Sequence, residues 1–192
     1  MFISFGAILA LAFIALASSA SAQAGPAEKK ALVATPDYVK VYATHTKANP
    51  KDPVPVTFST FQLRNVRFNP RNLVGGKAEL VIDMNSLSSG NKKRDTHLKS
   101  PDFIDVKKRN QAVVTVFVKK RLKRGAYKAM ASVTLGKNVQ KWPVTLEVIS
   151  SDKKSVRVKV RHEFNRADFA VGKKDGPVTE KLIAEALLTL TL

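Results

Sequence analysis

The residue types best suited to chemistry gather in one stretch, GNKKRDTHLKSPDFIDV, from Gly90 to Val106. Asp95, His97 and Ser100 lie close together there, with Arg94 and Asp102 beside them. A hydroxyl nucleophile needs a histidine to take its proton and a carboxylate to orient that histidine. Adjacency along the chain does not supply that geometry. Metal binding is no better placed: His45, His97 and His162 have no ligand spacing around them, and the chain has no cysteine to add a thiolate. The lack of cysteine also excludes disulfides, thiol catalysis and a lipidated N-terminal cysteine. The sequence therefore predicts a protein that is not an enzyme and has no catalytic residue, no metal and no cofactor. The stronger reading of the stretch is structural. Arg94 and Asp95 would tie it to backbone groups of neighbouring strands by charge-assisted hydrogen bonds, with Leu98 and Phe103 facing inward.

The elements that must position this stretch are strands. YVKVYATH, VPVTFSTFQL, NVRF, KAELVIDM, QAVVTVFVKK, AYKAMASVTL, VQKWPVTLEVI and VRVKVRHEF alternate apolar and polar residues and are divided by turn residues. On VRVKVRHEF, Val156, Val158, Val160 and His162 share one face, opposite Arg157, Lys159 and Arg161. EKLIAEALLTLTL suits a helix by propensity in its first half. Period two places Leu182, Ala184, Ala186, Leu188, Leu190 and Leu192 on one face, which favours a strand. Alternation stops at the opening stretch. Asn91 can cap a short helix through Lys99, and Ser100-Pro101-Asp102 can start a second helical turn. The prediction is an all-β fold: an eight-stranded antiparallel barrel over 38–192, with a helical insertion at about 91–106. Closure removes the exposed edges of so many amphipathic strands.

Residues 1–22 form an apolar run ending in small residues, and Ala20-Ser21-Ala22 reads as an export-signal cleavage site, with Ala24 as a later option. The first residues carry no Lys or Arg, so either the natural start lies upstream or the signal is weakly charged. A retained anchor is the rival reading, for which the run is short. Residues 23–37 make a leader. The expected location is the periplasm or the exterior of the cell.

Thirty-three Lys and Arg face fifteen Asp and Glu, a formal charge of +18. Twelve of the basic residues and only three Asp lie between Lys92 and Arg124. The densest piece, KKRLKR, contains Lys119, Lys120, Arg121, Lys123 and Arg124. Such a patch attracts phosphate-rich surfaces. With an export signal, anionic membrane or lipopolysaccharide fits better than nucleic acid. A solvated surface is the plain alternative.

One ordered string goes beyond pattern. LVIDMNSLSSGNKKRDTHLKSPDFIDV resembles the YceI-like family, through Ile82, Asp83, Ser86, Leu87, Ser89, Gly90, Arg94, Asp95, His97, Leu98, Ser100, Asp102 and Phe103. SVTLGK is similar to a hairpin of that family. NRADFAVG, with Arg166 and Asp168, is similar to its motif near the end of the domain. Val56 and Ala170 stand where the family has glycine, and RNQAVVTV lacks the family's Tyr and Pro. The resemblance implies a lipocalin-like barrel whose interior holds a long polyisoprenoid chain such as a quinone tail. The expected interior contacts are Phe58, Leu98, Phe103, Val114, Val116, Phe164 and Phe169. The function this implies is that of an exported carrier of an apolar lipid. The competing expectation is a basic protein with a filled core that works at anionic membrane or lipopolysaccharide.

Overall fold

The computed structural model describes residues 37–47, 52–174 and 176–192. The expected signal segment and the leader up to residue 36 lie outside these residues.

The alternating segments form ten strands: β1 (Tyr38–Ala43), β2 (Val54–Phe58), β3 (Phe61–Asn69), β4 (Asn72–Asp83), β5 (Leu87–Ser88), β6 (Gln111–Lys123), β7 (Ala126–Leu135), β8 (Asn138–Ser151), β9 (Ser155–Asn165) and β10 (Lys181–Thr191). All pairings are antiparallel, in the order β3-β4-β6-β7-β8-β9-β10-β1-β2-β5, and the sheet curls in the lipocalin-like manner. The count is ten against the expected eight, and two bends shift the boundaries: VPVTF and FQLRNVRFN divide at the first, and the two-residue β5 follows the second. β2 runs into β3 through Ser59 and Thr60 alone, and β4 reaches β5 through a single 3-10 turn, Met84–Ser86. At this double bend Asp83 N donates to Thr60 O at 3.0 Å, and Thr60 N to Ser86 Oγ at 3.1 Å. The chain thereby links the two ends of the sheet order.

β10 settles the ambiguous C-terminal segment. It pairs with β9 from Lys181↔Asn165 to Thr191↔Ser155, and with β1 on its other edge. A helix there would leave both neighbouring edges without partners, so tertiary pairing overrides helix propensity.

The helical insertion contains α1 (Lys92–Lys99). Asn91 caps it in extended conformation, and its side chain accepts from Arg94 N at 3.1 Å. The helix stops at Ser100, which is extended before Pro101 and donates through both N and Oγ to His97 O. The expected second helical turn is instead a series of tight turns. Phe103 N and Asp105 N both donate to Ser100 O, and Asp105 takes a left-handed φ of 58°, which ends any helical run.

Inward positions at period two supply the core, which includes Val39, Phe58, Leu80, Ile82, Ala112, Val144, Val158 and Leu188.

Candidate functional site

The inward faces do not fill the barrel. They surround a cavity of about 250 Å³. Protein interiors pack nearly as densely as organic crystals, and voids much larger than a water molecule are few. The cause is legible in the side chains. Ala78 on β4, Ala112 on β6, Ala131 on β7, and Ala184 and Ala186 on β10 all line the space. Around them stand Val41, Val114, Val116, Val133, Val144, Val158 and Val160. Alanine at these inward positions leaves unfilled the volume that a leucine or phenylalanine would occupy. Lys40, Lys77 and Glu185 also border the cavity, from positions whose side chains alternate outward. His162 is therefore the polar side chain on an inward position. Burial holds its imidazole below the usual range, against the opposing pull of Glu163.

The two ends of the cavity are built differently. At one end Trp142, His162, Phe164 and Phe169 form an aromatic group, with centroids of Trp142 and His162 5.1 Å apart and those of Trp142 and Phe169 5.6 Å apart. Cationic and amide side chains fasten this floor to backbone carbonyls. Arg109 donates to Phe169 O at 2.9 Å and to Phe103 O at 3.1 Å, and Asn138 Nδ2 donates to Phe169 O at 2.8 Å. Arg166, 1% exposed, donates to the carbonyls of Val171, Lys173, Lys174, Val178 and Thr179. Gly172 seals the arrangement: at φ +67°, a Cβ there would lie 2.8 Å from the Phe103 ring. Ala170 keeps the left-handed conformation, φ 50°, at the place where the resembled motif has glycine.

At the other end the β3–β4 hairpin lies over the barrel. β4 pairs with β6 only as far as Lys77, so Asn72–Gly76 have no partner there, and β3 is the first strand of the order. Bulges between Arg64 and Asn69 and a left-handed Asn65, φ 52°, bend the hairpin. Gly75, φ 82°, adds a turn that favours glycine. Phe68 and Leu73 on the hairpin line the cavity. Ser151 Oγ donates to Pro70 O at 3.1 Å and ties the tip to β8.

The residues expected from sequence fall into three places. Phe58, Val114, Val116, Phe164 and Phe169 line the cavity. Leu98 and Phe103 are buried but lie outside its lining, because the insertion packs behind the floor, with Phe103 held against Gly172. The chemically suggestive group does not converge. Asp95 accepts from Ser89 N, Ser89 Oγ and Ser88 Oγ. Burial opposes its charge, but these hydrogen bonds prevail and hold its carboxyl below the usual range. Arg94 donates to Ser89 Oγ at 2.7 Å and to Ser89 O at 2.8 Å. His97 is exposed, with its ring 5.9 Å from Phe103, and Ser100 Oγ is engaged with His97 O. Asp102 and Asp168 are exposed. Among the described residues no group of His, Cys, Asp and Glu could hold a metal ion. Lys119, Lys120, Arg121, Lys123 and Arg124 are all exposed on the β6–β7 hairpin.

Two contributors escaped the sequence reading. Trp142 shares the inward face of β8 with Val144 and Leu146, and period two along VQKWPVTLEVI is the signal that could have found it. Arg109 belongs to a charge run, and nothing local distinguishes it from its solvated neighbours.

Outside the barrel Glu185 makes a second buried polar group. It accepts from Tyr38 Oη at 2.8 Å and Arg161 at 3.1 Å, with Lys159 Nζ at 3.4 Å. Burial opposes its charge, yet these partners hold the carboxyl below its usual range, and Tyr38 is pushed up to about 12, first by burial and then by Glu185. A carboxyl with a depressed folded pKa contributes stability that is present above its unfolded pKa and lost as pH falls through the folded value. Glu185→Gln is therefore expected to lower the melting temperature at neutral pH and to narrow the gap to the native protein as the medium is acidified below pH of about 4. Thermal melts across that range check it.

Comparisons agree with this architecture. A family model described as YceI-like domain matches residues 34–188. The structure of BcnA from Burkholderia cenocepacia is similar at 20% identity, TM-score 0.71, covering 81% of this chain and 96% of that one. A YCEI protein from Campylobacter jejuni is similar at 19% identity, TM-score 0.60, over 78% and 92%. A polyisoprenoid binding domain from Saccharophagus degradans, implicated in plant cell wall breakdown, is similar at 14% identity, TM-score 0.63, over 81% and 93%. A UPF0312 protein from Vibrio vulnificus is 38% identical over 58 residues, which is 30% of each chain. The chain thus covers under a third of the curated relatives it matches.

Proposed function

The chain belongs to the YceI-like domain family, and from that premise we propose that it is an exported, non-enzymatic carrier that holds a long apolar lipid, an isoprenoid or quinone-like chain, inside its barrel. The observation that carries this reading is the lining of the cavity: alanine, valine, leucine and aromatic side chains, with His162 as the inward polar group. Such a wall gives a slender hydrocarbon chain what water cannot. Each methylene transferred from water contributes about 0.8 kcal/mol, so a chain of several isoprene units can bind tightly with almost no polar contact. His162 would meet a small hydrogen-bonding group on that ligand. The similar domain from Saccharophagus degradans, described as polyisoprenoid binding, supports the same ligand class. Export to the periplasm or beyond follows from the signal-like first residues. The competing reading needs a filled core, and the cavity argues against it.

Trp142 is the only tryptophan in the chain and lines the cavity, so it reports on the interior directly. Titration with a long-chain isoprenoid quinone is expected to quench its fluorescence saturably. Solvent extraction of the protein, purified from cells that make isoprenoids, is expected to release a stoichiometric lipid. No quenching together with an empty extract would overturn the reading.

A further inference from the structure

The hairpin end of the barrel carries a surface that the carrier reading does not by itself require. The β6–β7 tip, the end of β8 and the β3–β4 tip share this end. Val148 N donates to Gly125 O at 2.7 Å, and Ser151 Oγ donates to Pro70 O. Three aliphatic side chains point into solvent there: Val74, Leu122 at 50% exposure and Ile149 at 55%. Around them stand Arg121, Lys123 and Arg124 on one tip, Arg71 on the second, and Lys153 and Lys154 on the turn after β8, all exposed. None of these six forms an ion pair among the described residues. The one acid among these turns, Asp152, is held by Ser155 Oγ and by the amides of Lys154 and Ser155.

We infer that this end docks on the surface of an anionic lipid bilayer, with Val74, Leu122 and Ile149 entering the interface and the surrounding Lys and Arg meeting lipid phosphates. Exposed aliphatic side chains inside a basic rim are the composition of an interfacial anchor. A soluble polyanion offers the charges a partner but gives the aliphatic side chains none. The placement also fits the cavity. The docked face includes the hairpin whose Phe68 and Leu73 line the interior, and on the turn side of Lys77 that hairpin has no sheet neighbour on either edge. Lipid would therefore enter and leave at the bilayer, beneath a cover held by the apolar packing of Leu73 and Phe68 and by one side-chain hydrogen bond to β8. This second point rests on the carrier reading, and the docking itself does not.

The test is flotation of the protein with vesicles of equal parts phosphatidylglycerol and phosphatidylcholine, against vesicles of phosphatidylcholine alone. The native protein is expected to bind the anionic vesicles only, and more weakly as salt is raised. Replacing Arg121, Lys123 and Arg124 with serine is expected to weaken binding on the order of a hundredfold, from about 1 kcal/mol for each basic residue near an anionic surface. Leu122→Ser with Ile149→Ser is expected to weaken vesicle binding but leave binding of heparin, a soluble polyanion, unchanged. Lys137→Ser with Lys141→Ser, at the opposite end, is expected to change nothing. Failure of the native protein to bind anionic vesicles, equal loss from both ends, or heparin binding without vesicle binding would each overturn the docking surface. Trp142 quenching by an isoprenoid quinone in vesicle-free solution, run in parallel, separates the two ideas. Docking without uptake leaves this surface standing and removes the carrier reading; uptake without docking does the reverse.

Discussion

Val116→Phe is expected to lower affinity for a long isoprenoid on the order of a thousandfold while the barrel stays folded. Val116 faces the cavity from β6, and its register partners are Ala78 on β4 and Ala131 on β7. A phenyl ring there enters space that two alanines leave open. Excluding one five-carbon unit of ligand at about 0.8 kcal/mol per buried carbon removes about 4 kcal/mol of binding. Inserting bulk into a packed core normally costs roughly 1–3 kcal/mol. Here the ring fills a void, so the melting temperature is expected to hold or rise. Quenching of Trp142 measures the affinity and thermal melts measure the fold. An unchanged affinity would place the lipid outside the barrel.

Arg166→Met is expected to destabilise the protein by about 4 kcal/mol, and to lower the melting temperature by about 12 °C for a chain of this size. The guanidinium is buried, and its hydrogen bonds go to five carbonyls between Val171 and Thr179 rather than to a carboxylate. Methionine keeps much of the volume but leaves those acceptors without donors, at roughly 1–3 kcal/mol for each that water cannot reach. Lysine keeps the charge but not the planar fan of donors, and is expected to recover only part of the loss. Hydrogen exchange locates the effect. Protection is expected to fall first between Val171 and Thr179, and uniform loss across all strands would contradict this account.

The strands were legible because period two survives almost everywhere. Val114 and Val116, or Val158 and Val160, declare their face without help from the fold. The same rule put His162 inward, since it continues the face of Val156, Val158 and Val160. The cap at Asn91 was legible from one residue type in one place. The bent strands were not, because Ser59-Thr60 and Met84–Ser86 look locally like ordinary strand continuation or turn; only the curl of the sheet makes them corners. Nor was the hairpin cover. By sequence NVRF ends at the Asn69-Pro70 turn and the next strand begins at Lys77, whereas β4 begins at Asn72, and only the early end of the β4–β6 ladder at Lys77 reveals that the hairpin tip lies beyond the sheet. Openness of the interior was beyond period two altogether. It depends on which alanines fall side by side on one wall, as Ala78 and Ala131 flank Val116 on the neighbouring strands, and that is a fact of register. The Arg94–Ser89–Asp95 contacts show why chemical residue types mislead: the groups that suggest a catalyst are occupied with holding the helix to the strand before it.

The fastened floor has a kinetic meaning. Arg109, Asn138 and Arg166 hold it through backbone carbonyls on several segments, whereas the cover at the far end is held by the apolar contacts of Leu73 and Phe68 and the single Ser151 hydrogen bond. If cargo passes only under the cover, the barrel has one door. Donor and acceptor must then use that door in turn, and no ternary assembly can hand a lipid straight through the molecule. Such a protein works as a ferry and never as a tunnel: its transfer rate obeys ping-pong kinetics, and excess acceptor slows loading by occupying the dock.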